Sequence, residues 1–496
     1  MVRLSRLAIS EFECAMYSDE CRELQERLHA HLSANGCPLL TGTWTLGASP
    51  LAGRGVFAGR ALRAHEAVLC DAPLVVGPRT YERCPVVCVE CGRWGPSRAC
   101  PRGCLLPLCS GCAAAPSPVR HRGECEYIRQ LGPRGPANEG YSRLLYKAVT
   151  PIRCLALREE QRELVRRLQS NDEPRHSFEV DILKKSVEKQ LEPEDEAFMR
   201  LCCQVMDVNA FETVALHEDS RKGANYESSL RGLYPLAAIM NHSCSPNIRI
   251  GFDDRQRMVA RATRSIECGE EITTSYSLLL WGTSTRRSHL LDTKHFLCSC
   301  FRCLDPTELG TFLFMMDCPS RGCGGQLSPG DPLSLSCAWS CGRCNRVVTE
   351  QQISILRNIA VGPAPEPDLE DLSGLKTSLE GRLGQVAVSL KLSVIGSLGH
   401  KPKYTWTELD EKALLFKKQL CEDLLQLLQS LRLGTCRLRG FILQELFHVL
   451  NELRKRKKCS KNKSSIAEIK HLAKLAASSL KEAMQIIKTE NMDTLK

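Results

Sequence analysis

Closely spaced cysteines are the residues of this chain that most plainly could do chemistry. Cys88-x2-Cys91, Cys100-x3-Cys104 and Cys109-x2-Cys112 are followed by His121-x3-Cys125. Thiolates and an imidazole at such spacings are tetrahedral metal ligands, and eight of them fill two zinc sites with none left over. The segment is too short to bury its own core, so metal has to supply the folding free energy, about 10–16 kcal/mol per site. An interleaved assignment gives Cys88, Cys91, Cys109 and Cys112 to one ion, and Cys100, Cys104, His121 and Cys125 to the other. Cys84 is a competing ligand for Cys88. Later, Cys298, Cys300 and Cys303 offer three thiolates, and a closed site needs a fourth, for which Cys244 is the natural donor. Cys318-x4-Cys323 and Cys341-x2-Cys344 have the spacing of a zinc ribbon, with Gly324-Gly325 for a tight knuckle and Trp339 as a small apolar filler. Cys337 competes there with Cys341.

Polar and aromatic residues lie between these clusters. Gly53-Arg54-Gly55 forms a turn whose glycines let backbone approach a ligand closely. Asn241-His242 opens the run Asn241-His242-Ser243-Cys244-Ser245-Pro246-Asn247 and brings an amide and an imidazole as hydrogen-bond donors. Tyr276 closes a strand-like run after Gly269-Glu270-Glu271-Ile272, where a phenol can orient an incoming amine. Phe296, just before the thiolate trio, can stack on an aromatic ligand. Each has a plainer reading when taken singly: a common turn, a structural histidine, packed core rings.

Taken in order, Asn241–Asn247, Gly269–Tyr276 and Phe296–Cys303 resemble the catalytic half of a SET-domain protein methyltransferase. The paired cysteines from Cys88 to Cys125 look like a MYND finger, here with x3 after Cys100 and x2 after Cys109. A RING-type finger also uses eight interleaved ligands, and its place inside a split SET sequence argues against it. The whole resembles the SMYD family. Trp281-Gly282-Thr283-Ser284-Thr285-Arg286-Arg287, Asp305-Pro306-Thr307-Glu308-Leu309-Gly310 and Trp339-Ser340-Cys341 look most like its arthropod SmydA group. The resemblance implies a protein-lysine N-methyltransferase that passes a methyl group from S-adenosylmethionine to a lysine of a histone or another protein. By the same similarity Gly53, Arg54 and Gly55 form the first cofactor-binding turn. Asn171 and Asn209 match cofactor-contacting asparagines, and Asn241, His242, Tyr276 and Phe296 match the remaining contacts, with Tyr276 the catalytic phenol. Zinc is expected twice in the finger, once behind the catalytic core and once in the ribbon. The finger is expected to take peptide-motif protein partners. Two positions depart from the pattern: Ala52 stands where many members have a basic residue, and Lys294 where many have a tyrosine two residues before the stacking phenylalanine. A cation at the lysine entrance repels substrate or alters its selection. The competing reading is a MYND/SET adaptor or transcriptional co-regulator with weak or no turnover.

The elements that must position these residues define a multidomain α+β chain. The expectation is a β-rich SET fold with an inserted MYND zinc finger and a helical insert, then a zinc-bound post-SET segment and a helical C-terminal domain. The boundaries are a helical extension over 1–43, the first part of SET over 44–83, the finger over 84–128 and the helical insert over 129–208. The catalytic core follows over 209–280, the post-SET segment over 281–310, the ribbon-like segment over 311–350 and the helical domain over 351–496. Leu24, Leu28 and Leu32 predict a helix over 17–34, and Leu155 to Leu168 and the segment after Pro193 predict two more. Ile248–Phe252 and Arg257–Ala262 predict strands, and Val361–Pro367 a linker. Near the end, Ile466, Ile469, Leu472, Leu475 and Leu480 mark an apolar stripe.

Composition limits the rest. At 496 residues and 43% hydrophobic, the chain needs more than one core. The longest apolar run, Val386 to Leu398, is broken by Lys391, and no secretory signal is expected from the N-terminal residues. The cysteines are therefore expected to be reduced. Fifteen of the 28 are metal-ligand candidates, and the others, including Cys202, Cys203 and Cys421, read as small buried hydrophobes. The net charge of +10 includes Arg454-Lys455-Arg456-Lys457-Lys458, which reads equally as a nuclear import signal or a solvated loop. Direct nucleic-acid binding has no motif behind it beyond charge. The expectation is a monomer of the nucleus or cytoplasm, with no membrane attachment.

Overall fold

The computed structural model describes residues 11–51, 53–80, 84–95, 97–114, 120–135, 140–171, 177–214, 229–253, 255–362, 366–382, 384–459 and 466–488. Ala52 and residues 363–365 of the expected linker lie outside the described residues. The first helix, Glu11–Ala34, begins earlier than its leucine stripe indicates. Leu24, Leu28 and Leu32 are buried in the main core. Spaced by four, they share the helix face that a neighbouring sheet can cover.

The strands are β1 (Trp44–Ala48), β2 (Arg54–Ala58), β3 (Ala67–Asp71), β4 (Val75–Pro78), β5 (Ser97–Ala99), β6 (Pro107–Cys109), β7 (Phe211–Val214), β8 (Ser229–Leu233), β9 (Ile248–Phe252), β10 (Met258–Ala262) and β11 (Glu271–Ile272). The ribbon adds β12 (Met316–Asp317), β13 (Gln326–Pro329), β14 (Trp339–Cys341) and β15 (Val347–Val348). Three small antiparallel sheets, β1-β2-β11, β3-β10-β9 and β4-β8-β7, make the central β core. Each brings distant chain together: Phe57 pairs with Glu271, and Asp71 with Met258. All five positions of β10 are buried, so it shows no polar alternation. Val56, Leu69, Val259 and Ile272 form one core with the first helix and with Val205 and Met206 of the helix Pro193–Asn209. That helix has proline in its first turn and Glu194, Asp195 and Glu196 against its positive dipole end. The helix expected over Leu155–Leu168 is shorter, Glu159–Arg166. It starts late because the Gln161 side chain accepts the Arg158 N–H and caps the turn there.

The finger carries the β5-β6 hairpin and the helices Ser110–Ala114 and Arg122–Leu131. Its apolar residues, Val87, Leu106, Leu108 and Ile128, form one cluster with Leu145, Val149, Val180 and Leu183 of the helical insert. The ribbon is a four-stranded meander packed around buried Trp339. Beyond it run the helices Glu350–Val361, Leu372–Leu379, Gln385–Ser397, Glu411–Ser430, Arg437–Cys459 and Ile466–Lys488. The first occupies Val361, where the linker was expected to begin. The last corrects the expected stripe: Ile466 is 73% exposed and Leu475 37%, while Leu472, Ala476, Ala483 and Ile486 are buried. Small residues belong to that seam because it packs tightly along Arg437–Cys459, where Gly440 meets Ile486. No helix among the described residues is long and apolar enough to cross a membrane.

Candidate active site and metal centres

Two motifs far apart in sequence lie side by side at the centre of the fold. His242 bridges to Thr274, the Ser243 N–H donates to the Thr274 carbonyl at 2.9 Å, and the Thr274 N–H to the Asn241 carbonyl at 3.0 Å. Asn247 fastens them from the other end. Its amide donates to the Glu271 carbonyl at 2.8 Å and accepts the Thr273 N–H at 2.9 Å. Asn247 is thus structural, its amide supplying a donor and an acceptor to main chain at the end of β11.

The glycine turn joins this centre through the carboxylate of Glu271, to which its sequence motif gives no role. Glu271 Oε1 accepts from Asn241 Nδ2 at 2.7 Å and from Ser49 Oγ at 2.8 Å. A Cβ on Gly55 would come within 2.5 Å of that oxygen, so the space Gly55 leaves is filled by Glu271. Gly53 has φ +51, the left-handed region that glycine enters at no steric cost. Arg54 turns its side chain away, toward Glu20 and the Arg167 carbonyl, and its own carbonyl accepts from Asn241 Nδ2 at 3.0 Å. What Arg54 presents to the centre is main chain. The one sequence-level sign of Glu271 is its place beside Glu270 in a short strand.

His242, Tyr276 and Phe296 form a three-ring cluster with centroids 5.3, 5.9 and 6.4 Å apart. Both ring nitrogens of His242 face groups inside the protein. Nδ1 accepts the Tyr276 N–H at 2.9 Å, and Nε2 stands 3.1 Å from the Cys244 sulfur. Burial lowers the ring's pKa to about 4, which keeps it neutral. The Tyr276 hydroxyl donates to the Met240 carbonyl, and burial pushes its phenol up. Asn209 ends the helix Pro193–Asn209, its amide donating to the Gln169 and Val205 carbonyls at 2.7 Å each. Asn171 sits beside His295 (2.7 Å) and Asp207 (3.4 Å). Lys294, on the facing helix Thr283–Lys294, donates to the Val208 carbonyl at 2.7 Å and lies 5.9 Å from the Tyr276 ring.

Among the described residues, sixteen cysteines and histidines gather in four quartets, with the ligand atoms of each within 4.8 Å of one another. They are Cys88, Cys91, Cys109, Cys112; Cys100, Cys104, His121, Cys125; Cys244, Cys298, Cys300, Cys303; and Cys318, Cys323, Cys341, Cys344. A tetrahedron with metal–sulfur bonds of about 2.3 Å has sulfur–sulfur edges of about 3.8 Å. Cys100–Cys125 at 3.9 Å, Cys244–Cys298 at 3.8 Å and Cys318–Cys344 at 3.7 Å fit those edges. They are far longer than a disulfide bond, about 2.05 Å. Cys84 is outside the quartets, and Cys337 donates instead to the Asp331 carbonyl. Soft thiolates with at most one imidazole suit zinc.

The residues around the quartets carry the information the cysteines lack. His121 Nε2 faces Cys104 at 3.4 Å, while Nδ1 faces Glu124 at 3.3 Å, and Arg153 holds Glu124 at 2.6 Å. A carboxylate behind a ligand histidine fixes its tautomer and orientation. Behind the third quartet, Arg286, Arg302 and Glu308 are fully buried in one ion cluster. Arg286 reaches the Cys303 sulfur at 3.4 Å, and Arg302 the Cys244 carbonyl at 2.9 Å. Buried like charges on two arginines need more than one glutamate to compensate them, and a four-thiolate metal centre, net −2, would supply the rest.

Comparison with known proteins agrees with this architecture. The SET domain family matches residues 53–277. "SET domain-containing protein SmydA-8, isoform A" of Drosophila melanogaster is 31% identical over 418 residues, which is 81% of this chain and 88% of that protein. "Histone-lysine N-methyltransferase ASHR1" of Arabidopsis thaliana is 26% identical over 65% of this chain and 69% of its own. "Histone-lysine N-methyltransferase SMYD3" of Homo sapiens is 46% identical over 72 residues, 14% of this chain and 17% of its own. The chain belongs to the SMYD family of SET-domain proteins and is most like its arthropod SmydA group.

Proposed function

We propose that this protein is a protein-lysine N-methyltransferase that uses S-adenosylmethionine as methyl donor, with a histone or another protein as substrate. The observation that carries the reading is the Tyr276–His242–Phe296 ring cluster, set beside the Asn241–Glu271–Gly55 contact and backed by the third quartet. The cofactor would be held by the Gly53–Gly55 main chain, by Asn241 and the main chain of His242, by Asn171 and Asn209, and by the Phe296 ring. When bound, it supplies an electrophilic methyl group. The protein's own part is orientation and the exclusion of water. Tyr276, held by Met240, shapes the amine passage, and His242 holds the Tyr276 backbone against the metal-bound Cys244. On this reading zinc occupies all four quartets, two of them in the finger, and its work is structural. The finger takes peptide-motif partners, and the chain is a monomer of the nucleus or cytoplasm, where free thiols persist.

The test is transfer from labelled cofactor to a lysine-rich protein mixture. Wild type transfers label, and Tyr276→Phe loses at least about 100-fold of that rate while its cofactor affinity stays within a factor of about two. Saturable cofactor binding with no transfer by wild type would instead support the adaptor reading.

A further inference from the structure

Methyl transfer to lysine has a requirement that the ring cluster does not meet. The incoming side chain arrives as an ammonium, and only its neutral amine has a lone pair to attack. Each titratable group around Tyr276 can be asked whether it is able to take that proton. His242 has both ring nitrogens occupied, by the Tyr276 N–H and by Cys244. The Tyr276 hydroxyl donates to the Met240 carbonyl. Glu271 is committed to Ser49 and Asn241. His289, on the same helix as Lys294, packs its ring edge-on against Trp281 at 5.1 Å. Asp207 is held by Asn171 at 3.4 Å and faces His295 at 3.7 Å.

Lys294 is different. It is the last residue of its helix, and the turn continues at His295 with φ 61, which brings Phe296 round to the ring cluster. The residue is half-buried, and its Nζ donates to the Val208 carbonyl at 2.7 Å and the Asp207 carbonyl at 3.4 Å and stands 5.9 Å from the Tyr276 ring centroid. An uncharged amine has two N–H groups and one lone pair. In the uncharged form those two N–H groups would match the two carbonyls at the end of helix Pro193–Asn209, with one lone pair left over.

We propose that Lys294 is a catalytic residue of this site, the proton acceptor that neutralises the substrate lysine. The inference rests on the methyltransferase reading above. The substrate ammonium gives one proton to the Lys294 amine, which becomes an ammonium, and the substrate amine's lone pair then forms the nitrogen–carbon bond. The carbon–sulfur bond breaks with its electron pair on sulfur, leaving a neutral thioether and a methylated ammonium product. Lys294 returns its proton to solvent, past Asp207 and His295, whose side chains are each 33% exposed. Burial lowers the Lys294 pKa, and the nearby Asp207 charge opposes that shift.

Two measurements test it in the full zinc-loaded chain. The first is the pH profile of methyl transfer for wild type, Lys294→Met and Lys294→Arg, with S-adenosylhomocysteine affinity as a control for folding. Near pH 7 both variants should lose about 100-fold in kcat. The methionine variant should recover most of that above about pH 10, where free lysine is neutral without help. The second readout does not depend on turnover: NMR titration of lysine side chains labelled at Cε, with the Lys294 signal assigned by its absence in Lys294→Arg. Lys294 should titrate at least one unit below an exposed lysine, about 10.4. A loss of rate equal at every pH, or a Lys294 titrating with the exposed lysines, overturns the proposal and leaves the methyltransferase reading standing. A wild type that binds cofactor and transfers nothing overturns both.

Discussion

Asp71, at the end of β3, is fully buried, with Oδ2 accepting the Ala237 N–H at 2.8 Å and Oδ1 without a hydrogen-bond partner. Burial raises its carboxyl to about 7 against the pull of the Ala237, Leu236 and Ala72 amides. The folded state then keeps a proton that the unfolded chain releases near pH 4. Stability therefore falls as pH rises from about 4 to about 7 and is level above that. Asp71→Asn should flatten this slope and raise stability at pH 8 by up to about 4 kcal/mol, read from denaturant midpoints at pH 5 and pH 8. An unchanged slope would place the titration elsewhere. Nothing in the sequence around Asp71 marks it, since a strand-end aspartate reads as a turn residue. His242 teaches the converse. Its motif announces it, yet which atoms its two nitrogens meet depends on a tyrosine 34 positions away.

Among the elements, the finger shows how a metal site recruits its neighbours. His121 precedes the helix Arg122–Leu131, whose first turn brings Glu124 round to the imidazole, and Arg153 arrives from the insert to hold Glu124. Glu124→Gln should weaken metal binding at the second quartet by 10- to 100-fold, the usual effect of losing such a partner. The Cys88 quartet should be unaffected. Competition with a chromophoric chelator would show one weakened site, and two equal losses would mean general unfolding instead. The i, i+3 spacing of His121 and Glu124 stands in the sequence as a clue; Arg153 has none. The last helix shows a different limit. Bulky residues at Ile466 and Leu475 drew the expected stripe, but in a tightly packed helix pair the seam takes small residues, and Ala476 and Ala483 lie inside.

Across the molecule, the helical domain grips the catalytic core at the motif itself. Ser245 Oγ donates to the Leu431 carbonyl at 2.8 Å, the Thr435 N–H to the Thr263 carbonyl at 2.9 Å, and Arg249 to the Thr435 carbonyl at 2.9 Å. Gly434 makes the approach feasible: its φ is +55, and a Cβ there would lie 2.3 Å from the Thr263 carbonyl oxygen. Gly434→Ala should cost about 1–3 kcal/mol by overpacking, lower the thermal midpoint and loosen cofactor binding through Ser245. A midpoint equal to wild type would show that the contact gives way freely. Cysteine pairs, the order of the motifs and the family they imply could be read from the chain because donors two or three residues apart share one knuckle whatever surrounds them. Across long gaps the Cys244 donor alone was legible, from its place in the motif; Gly55 with Glu271 and Lys294 with the Val208 carbonyl were not. Sequence spacing constrains only what a few rotatable bonds can reach, and contacts closed over dozens of residues exist only once sheets and helices have packed to bring them together.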